Sequence, residues 1–496
     1  MKLARLYYLA NAVFVLIVAA GALISPSSAH PLYLIVLFAL CSSPLLDMRH
    51  LNDRFVLLVL FSVVFFQFYG TSDLLHLLYA LPDMVTPEIM SASELVILAG
   101  GALVQISYRV ACRAAPAATP KDWSEARLFW LGGLLWAVST VLTWDLKVNI
   151  VVAASNDAVT RGLGSLGAWQ AAGYILATML QPLGILIIAY AQCRYRRPYM
   201  LALLLAVIAV QLVMGFVVDV KGVALLGGAI AIATKLLVDG KLPKVWLVGM
   251  AVFVAVSFPV LQANRTVRDQ YSVNRNDVAG NILKTLERAV DLSKRVPVSQ
   301  EERSLSALER MSLKASVDLI VDKTGNGVKF QDGYTLSPLL AVFIPRVIWP
   351  TKPDVATGQV MNREFKVSDF DDTYISPSHL GELYWNFGWA GAVIGMSLFG
   401  ALLGFVGARN DLTQAVTLTR VMILVATFQL IILGAESTIA AQYSMWLRSL
   451  AAIGLLHLVV ARIPAAPRRE EARQRELPQA PEQRATPLPQ FPNLMR

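Results

Sequence analysis

The chain has 496 residues, of which 56% are hydrophobic and only 16% charged, and its mean hydropathy is +0.56. That balance excludes a soluble globular protein of this length and indicates a polytopic membrane protein. The net charge of +9 comes mostly from short loops and an arginine-bearing tail, so it is no argument for nucleic-acid binding.

Apolar runs of about 18 to 22 residues, each long enough to cross a hydrocarbon core of about 30 Å as a helix, recur about twelve times. The first, Leu6–Ile24, follows Lys2 and Arg5. Ser27, Ser28 and Ala29 resemble a small-residue cleavage site, but the run is long for a secretory signal and more spans follow, which predicts a retained signal-anchor. Further spans are predicted over Leu32–Leu46, Phe55–Tyr69, Glu94–Cys112, Leu128–Leu146, Ala168–Ala191, Tyr199–Val218, Val223–Val238 and Val245–Ala263. After a long hydrophilic stretch come Trp389–Gly407, Val416–Leu433 and Ser444–Ile463. Cys41, Cys112 and Cys193 fall in or beside these spans, and no CxxC or HExxH motif is present. No cofactor or metal is expected.

Cytoplasmic loops of membrane proteins carry the excess of Lys and Arg. Basic connections (Arg49 with Arg54; Arg113, Lys121 and Arg127; Arg194, Arg196 and Arg197; Lys241 and Lys244; Arg409) alternate with connections nearly free of cations, such as Ser25–Pro31 and Gly70–Met90. The expectation is an all-α bundle of about twelve spans with both termini cytoplasmic: membrane spans in 1–263 and 387–463, an outward-facing loop at 264–386, and a disordered tail at 464–496 rich in Pro, Arg, Gln and Glu.

The loop from Asn264 to Asn386 is where chemistry is expected. It holds sixteen Lys and Arg against sixteen Asp and Glu, so any anion site depends on particular arginines rather than a general cationic surface. Arg265 and Arg268 leave the ninth span three residues apart, on one face of a helical extension at headgroup depth, where guanidinium groups match phosphate oxygens. Lipid phosphates alone would also satisfy such a pair. Helical periodicity then predicts two amphipathic helices, Asn276–Arg295 and Ser299–Lys323, the second opened by a capping box at Ser299–Glu302. In Ser337–Pro353 about a dozen apolar residues punctuated by prolines read as a re-entrant or interfacial helix. Arg346 within it is costly unless it faces a polar cavity or an anion. In the segment before Trp389, His379, Glu382 and Asn386 share one side of a helix, with Gly381 and Gly388 allowing close approach. His379 or Glu382 has the chemistry to take a proton from a sugar hydroxyl. The plainer alternative is a helix start capped by Ser376 or Ser378, with Glu382 complementing the dipole. Lys352, Arg363, Tyr384 and Asn386 complete the candidate substrate contacts, and Tyr334, Tyr374 and Trp385 are further rings for stacking on sugars.

The exit arginines, the segment IPRVIWPTKP (344–353) and the segment SPSHLGELYWNFGWAGAVIGM (376–396) resemble the Wzy-type oligosaccharide repeat-unit polymerases of bacterial surface polysaccharides. The resemblance is concentrated between Arg265 and about Gly400. It implies a glycosyltransferase-C-like helical fold in a bacterial inner membrane, with the 264–386 loop in the periplasm, and transfer of glycan from undecaprenyl pyrophosphate, with a chain-length regulator and a flippase as partners; the absence of metal motifs makes the expected transfer metal-independent. Arg346 and Gly358 are separated by eleven residues, one more than the arginine–glycine spacing of some members, and that pattern is not carried over. A ligase using the same donor and a lipid-linked-oligosaccharide flippase are the competing readings. Against a carrier, the long loop follows the ninth span and no internal repeat is evident.

Overall fold

The computed structural model of the protein describes residues 2–24, 29–79, 89–114, 123–146, 168–218, 221–253, 312–341, 344, 348–349, 357–368, 373–435 and 437–461. Every regular element among them is helical. The α-helices are α1 Lys2–Ile24, α2 Pro31–Ser42, α3 Val56–Tyr69, α4 Thr71–Tyr79, α5 Ala92–Ala114, α6 Glu125–Leu146, α7 Ala168–Tyr195, α8 Pro198–Val218 and α9 Lys221–Asp239. They continue with α10 Lys244–Phe253, α11 Lys314–Lys323, α12 Thr357–Phe365, α13 Ser378–Arg409, α14 Leu418–Ala435 and α15 Ile439–Ala461. Among the described residues five helices, in α1, α5, α7, α8 and α13, are long and apolar enough to cross a membrane, and the α3–α4 pair, bent by 47°, makes a sixth if it is one span.

The span predicted from Trp389 is observed directly after a break at Phe387 and Gly388; the polar segment carrying His379 and Glu382 forms a helical segment of its own ahead of it, from Ser378. Two elements differ from expectation. The helix predicted over Ser299–Lys323 starts, in its described part, only at Lys314. Leu313 N–H is instead donated to the Phe68 carbonyl at 2.9 Å, filling an acceptor that the last turn of α3 leaves without an intrahelical donor. The proline-punctuated segment contains a 3-10 helix over Tyr334–Ala341 in place of an α-helix. Asn276–Arg295, the capping box at Ser299, Arg265, Arg268, Arg346, Lys352 and the tail lie outside the described residues.

The core of the bundle is the pair α5 and α13, which run parallel in close register. Gly100 faces Leu380 and Met396, Gly400 faces Val104 and Ser107, and Gly404 faces Tyr108. A Cβ on Gly404 would lie 2.9 Å from the Tyr108 Cα, so the two backbones approach to a distance that only hydrogen at the glycine permits. Small residues four apart are the usual means of close helix contact where lipid removes the hydrophobic drive for helices to associate. α6 and α7 run antiparallel by a similar device: Gly184 packs on Trp136, Gly132 packs on Ile187, and Gln181 Nε2 donates to Thr140 Oγ1 at 3.0 Å. At one end of the α5–α13 pair Arg109 binds Asp47 at 2.8 Å, and Gly407 packs on Tyr108 and the Arg54 carbonyl. Toward the opposite end lie the N-terminus of α5 and the break in α13; the first segment of α13 folds back along the second, with Gly391 and Gly395 against Leu383, and α11 packs on it where Ile320 and Val317 meet Gly381.

Candidate functional site

The site is built around the first two turns of α13. Ser378 opens the helix with a left-handed backbone, φ 61°, and its Oγ accepts the Gly381 N–H at 3.2 Å and the Tyr69 hydroxyl at 3.0 Å. Ser376 Oγ accepts the Ser378 N–H at 3.3 Å. Both serines therefore hold the helix start, as the capping alternative requires. Two turns later the helix breaks at Phe387 and Gly388; Gly388 has φ 59° and ψ −144°, a conformation open essentially to glycine alone.

A break exposes backbone acceptors that need new donors, and the loop ahead of the 3-10 helix supplies them. Gln331 N–H donates to the Trp385 carbonyl at 3.1 Å and Asp332 N–H to the Asn386 carbonyl at 3.2 Å. Asn386 joins the two sides: its Oδ1 accepts Gly333 N–H at 2.9 Å, while its Nδ2 donates to Thr335 Oγ1 and to the Glu382 carbonyl, each at 2.7 Å. Asn386 is fully buried and its amide is occupied on both sides.

Glu382 is also fully buried. Its Oε2 accepts the Ile439 N–H at 2.7 Å, which places the carboxyl on the first turn of α15. There the helix dipole and its free N–H groups favour negative charge, and Thr438 Oγ1 takes a second donor, Ala441 N–H, at 3.4 Å. The other oxygen, Oε1, is buried, with the Thr335 hydroxyl beside the carboxyl as its neighbouring donor. Tyr374 completes the rim. Partial burial raises its phenol above the ordinary tyrosine value; the Thr438 and Ser437 hydroxyls pull it down and the nearby Glu382 charge adds to the rise.

His379 sits one turn before Glu382 but belongs to different surroundings. Its ring meets Phe399 edge-on at 5.5 Å and lies 5.6 Å from Tyr443 of α15. It lines a cavity of about 30 Å³ whose other walls include Phe61, Phe65, Phe68 and Met396. Gly434 makes room for the imidazole, since a Cβ there would lie 2.6 Å from its Cε1. Nε2 is buried without a partner. His379 and Glu382, expected to share a face toward substrate, are thus divided between an aromatic chamber and a polar corner.

The remaining candidates scatter. Arg363 is exposed on α12. Tyr384 is half-buried, 6.3 Å from the Trp389 ring. Trp385, expected as a sugar-stacking ring, is fully buried against Phe365 at 5.2 Å in a cluster with Ile320, Val328 and Met361, so its faces are already covered. Tyr334 and Tyr374 keep exposed surface.

Sequence reasoning missed a buried ionic cluster beside this corner. Lys314 Nζ lies 3.1 Å from Asp73 Oδ2, 3.1 Å from Glu94 Oε1 and 3.9 Å from Asp318 Oδ2. Glu94 Oε2 in turn is 2.6 Å from His30 Nδ1 and accepts the Ser91 N–H at 2.9 Å, while Ser93 Oγ donates to Asp318. Burial works against the Lys314 ammonium, but Asp73, Asp318 and Glu94 together hold it above the ordinary lysine value. The available signal was an acid at the head of a span, Glu94, and another in a cation-free connection, Asp73. Nothing local pairs them with a lysine more than two hundred positions away.

No protein-family model, curated protein or solved structure matches the chain. The functional reading rests on the site residues and on the segments that carry the family resemblance.

Proposed function

We propose that the protein polymerises lipid-linked oligosaccharide repeat units at the periplasmic face of the inner membrane. It transfers the growing glycan from undecaprenyl pyrophosphate to a terminal sugar hydroxyl of the next unit, as the Wzy-type polymerases it resembles do. On this reading the bundle is glycosyltransferase-C-like, with about twelve spans and both termini in the cytoplasm. The observation that carries the reading is Glu382: a buried carboxyl with one oxygen committed to Ile439 and the other beside the Thr335 hydroxyl, at the end of the hydrophilic loop.

Glu382 Oε1 removes the proton from the acceptor hydroxyl as that oxygen forms a bond to the anomeric carbon of the donor. The bond from that carbon to the pyrophosphate oxygen breaks, and the pyrophosphate leaves with the electron pair. Arg265, Arg268 and Arg346 neutralise the charge that develops on it, with Lys352 and Arg363 assisting; loss of one well-placed donor of this kind costs about 3 kcal/mol, or roughly a hundredfold in rate. The polar setting of Glu382, on the N-terminus of α15 and beside Thr335, favours it over His379, whose surroundings are aromatic rings.

The deciding experiment is deletion of the chain in its host. A polymerase leaves single repeat units on the acceptor lipid, a ligase leaves no glycan on it, and a flippase traps lipid-linked units inside. Single units, restored to polymer by the wild type but not by Glu382→Gln, are the expected result; either other phenotype overturns the proposal.

A further inference from the structure

Glu382 owes its position to more than α13 itself. Gly381 beside it is pressed by α11: a Cβ at that position would meet Ile320 Cδ1 at 2.8 Å and Val317 Cγ2 at 3.6 Å. α11 is a short helix of ten residues, too short to be stable alone, so its docking must come from tertiary contacts. Those contacts are Val317 and Ile320 on one side and the Lys314 cluster on the other. A second connection runs from the same lysine. Lys314 Nζ lies 5.5 Å from the centroid of the Tyr33 ring, Tyr33 hydroxyl donates to the Tyr69 carbonyl at 2.7 Å, and Tyr69 hydroxyl donates to Ser378 Oγ at 3.0 Å. Ser378 is the residue whose left-handed backbone opens α13.

Buried charges cost several kcal/mol unless they are paired, and a lysine among carboxylates from α4, α5 and its own helix is a costly way to hold a ten-residue element if packing alone were the purpose. Both connections from it end within one turn of Glu382. We propose that Lys314 is a positioning residue for Glu382: by drawing Asp73 and Glu94 onto one ammonium it clamps α11 against Gly381 and sets how the first segment of α13 presents the carboxyl. This rests on Glu382 acting as the base.

The test uses the full chain in lipid nanodiscs, with nitroxide labels at Ala315 of α11 and Phe387 of α13, both exposed, and single-turnover transfer between lipid-pyrophosphate-linked repeat units extracted from the deletion host. Lys314→Met should broaden the label distance distribution and lower the transfer rate about tenfold to a hundredfold with the donor KM near wild type, because small misplacements of a reacting group cost rate. Lys314→Arg, which keeps the charge, should restore both. If Lys314→Met does not fold, the neutral triple variant Lys314→Met, Asp73→Asn, Glu94→Gln replaces it, with the same broadening and rate loss expected. A rate at the wild-type level in either neutral variant, or an unchanged distance distribution, overturns the proposal. If the wild type itself performs no transfer, the polymerase reading fails, and the distance measurement alone then decides the clamp.

Discussion

Glu382 and Ile439 are joined by a 2.7 Å hydrogen bond that ties the polar start of α13 to the first residue of α15. The same carboxyl therefore caps one helix with one oxygen and sets the other beside the Thr335 hydroxyl. Capping and catalysis are compatible, because a cap needs only one acceptor.

That division separates two variants. Glu382→Gln retains an oxygen able to accept the Ile439 N–H, so the protein should fold near wild-type stability while transfer falls by about 10²- to 10⁴-fold, the usual contribution of a general base. His379→Gln should do the opposite. It exchanges the imidazole for an amide buried among aromatic rings, costing about 1–3 kcal/mol in thermal unfolding, with transfer per folded molecule within a few-fold of wild type. The reverse order of severity in single-turnover kinetics would assign the base to His379.

The break in α13 makes its own prediction. Gly388→Ala should cost about 1–3 kcal/mol, since its backbone conformation is strained for any residue with a Cβ. Asn386→Leu should cost a similar 1–3 kcal/mol by leaving the Gly333 N–H without its acceptor. Chemical denaturation in mild detergent measures both, and wild-type stability in each would mean that the loop does not depend on the break.

Two glycines, one in α13 and one in α6, should respond with opposite sign. Gly404→Ala puts a methyl against the Tyr108 backbone and should destabilise by about 1–3 kcal/mol through overpacking. Gly133→Ala meets nothing within 4 Å and should be neutral or stabilising by up to about 1 kcal/mol, from the better helix propensity of alanine. Equal melting shifts for the two would refute the close α5–α13 approach.

Lys314 predicts a pH dependence. Burial lowers its pKa, but Asp73, Asp318 and Glu94 raise it further, so the folded value lies above the unfolded one of about 10.4. The stabilisation from the ammonium is then fully present below that unfolded value and lost only as pH rises through the higher folded value. Lys314→Met should cost about 3–5 kcal/mol by taking the ammonium away from the buried Asp73 and Glu94 carboxylates, and the gap to wild type should not narrow from pH 7 to about 10, where those carboxylates must carry charge without it. A gap that closes from pH 8 upward would show that the carboxylates do not hold the charge.

Hydropathy alone located the helices well where lipid is the solvent. The run predicted over Phe55–Tyr69 and α3 at Val56–Tyr69 differ by one residue, as do the run over Tyr199–Val218 and α8 at Pro198–Val218. The physical reason is local: in hydrocarbon every backbone polar group must be satisfied within its own helix, so the length of the apolar run sets the length of the element. The polar spacing of His379, Glu382 and Asn386 was legible for the same reason, being a property of one helix.

What each of those side chains meets was decided only by tertiary structure. His379 faces rings contributed by α13 and α15, Glu382 faces the N-terminus of α15, and Asn386 faces a loop more than fifty positions earlier. The same holds for Lys314, whose partners Asp73 and Glu94 precede it by more than two hundred residues. Helical period assigns a side chain to a face, but the partner on that face is set by which helices pack together. That depends on close approaches such as Gly404 on Tyr108 and Gly381 on Ile320, which are made between residues distant in the chain and leave no mark in local composition.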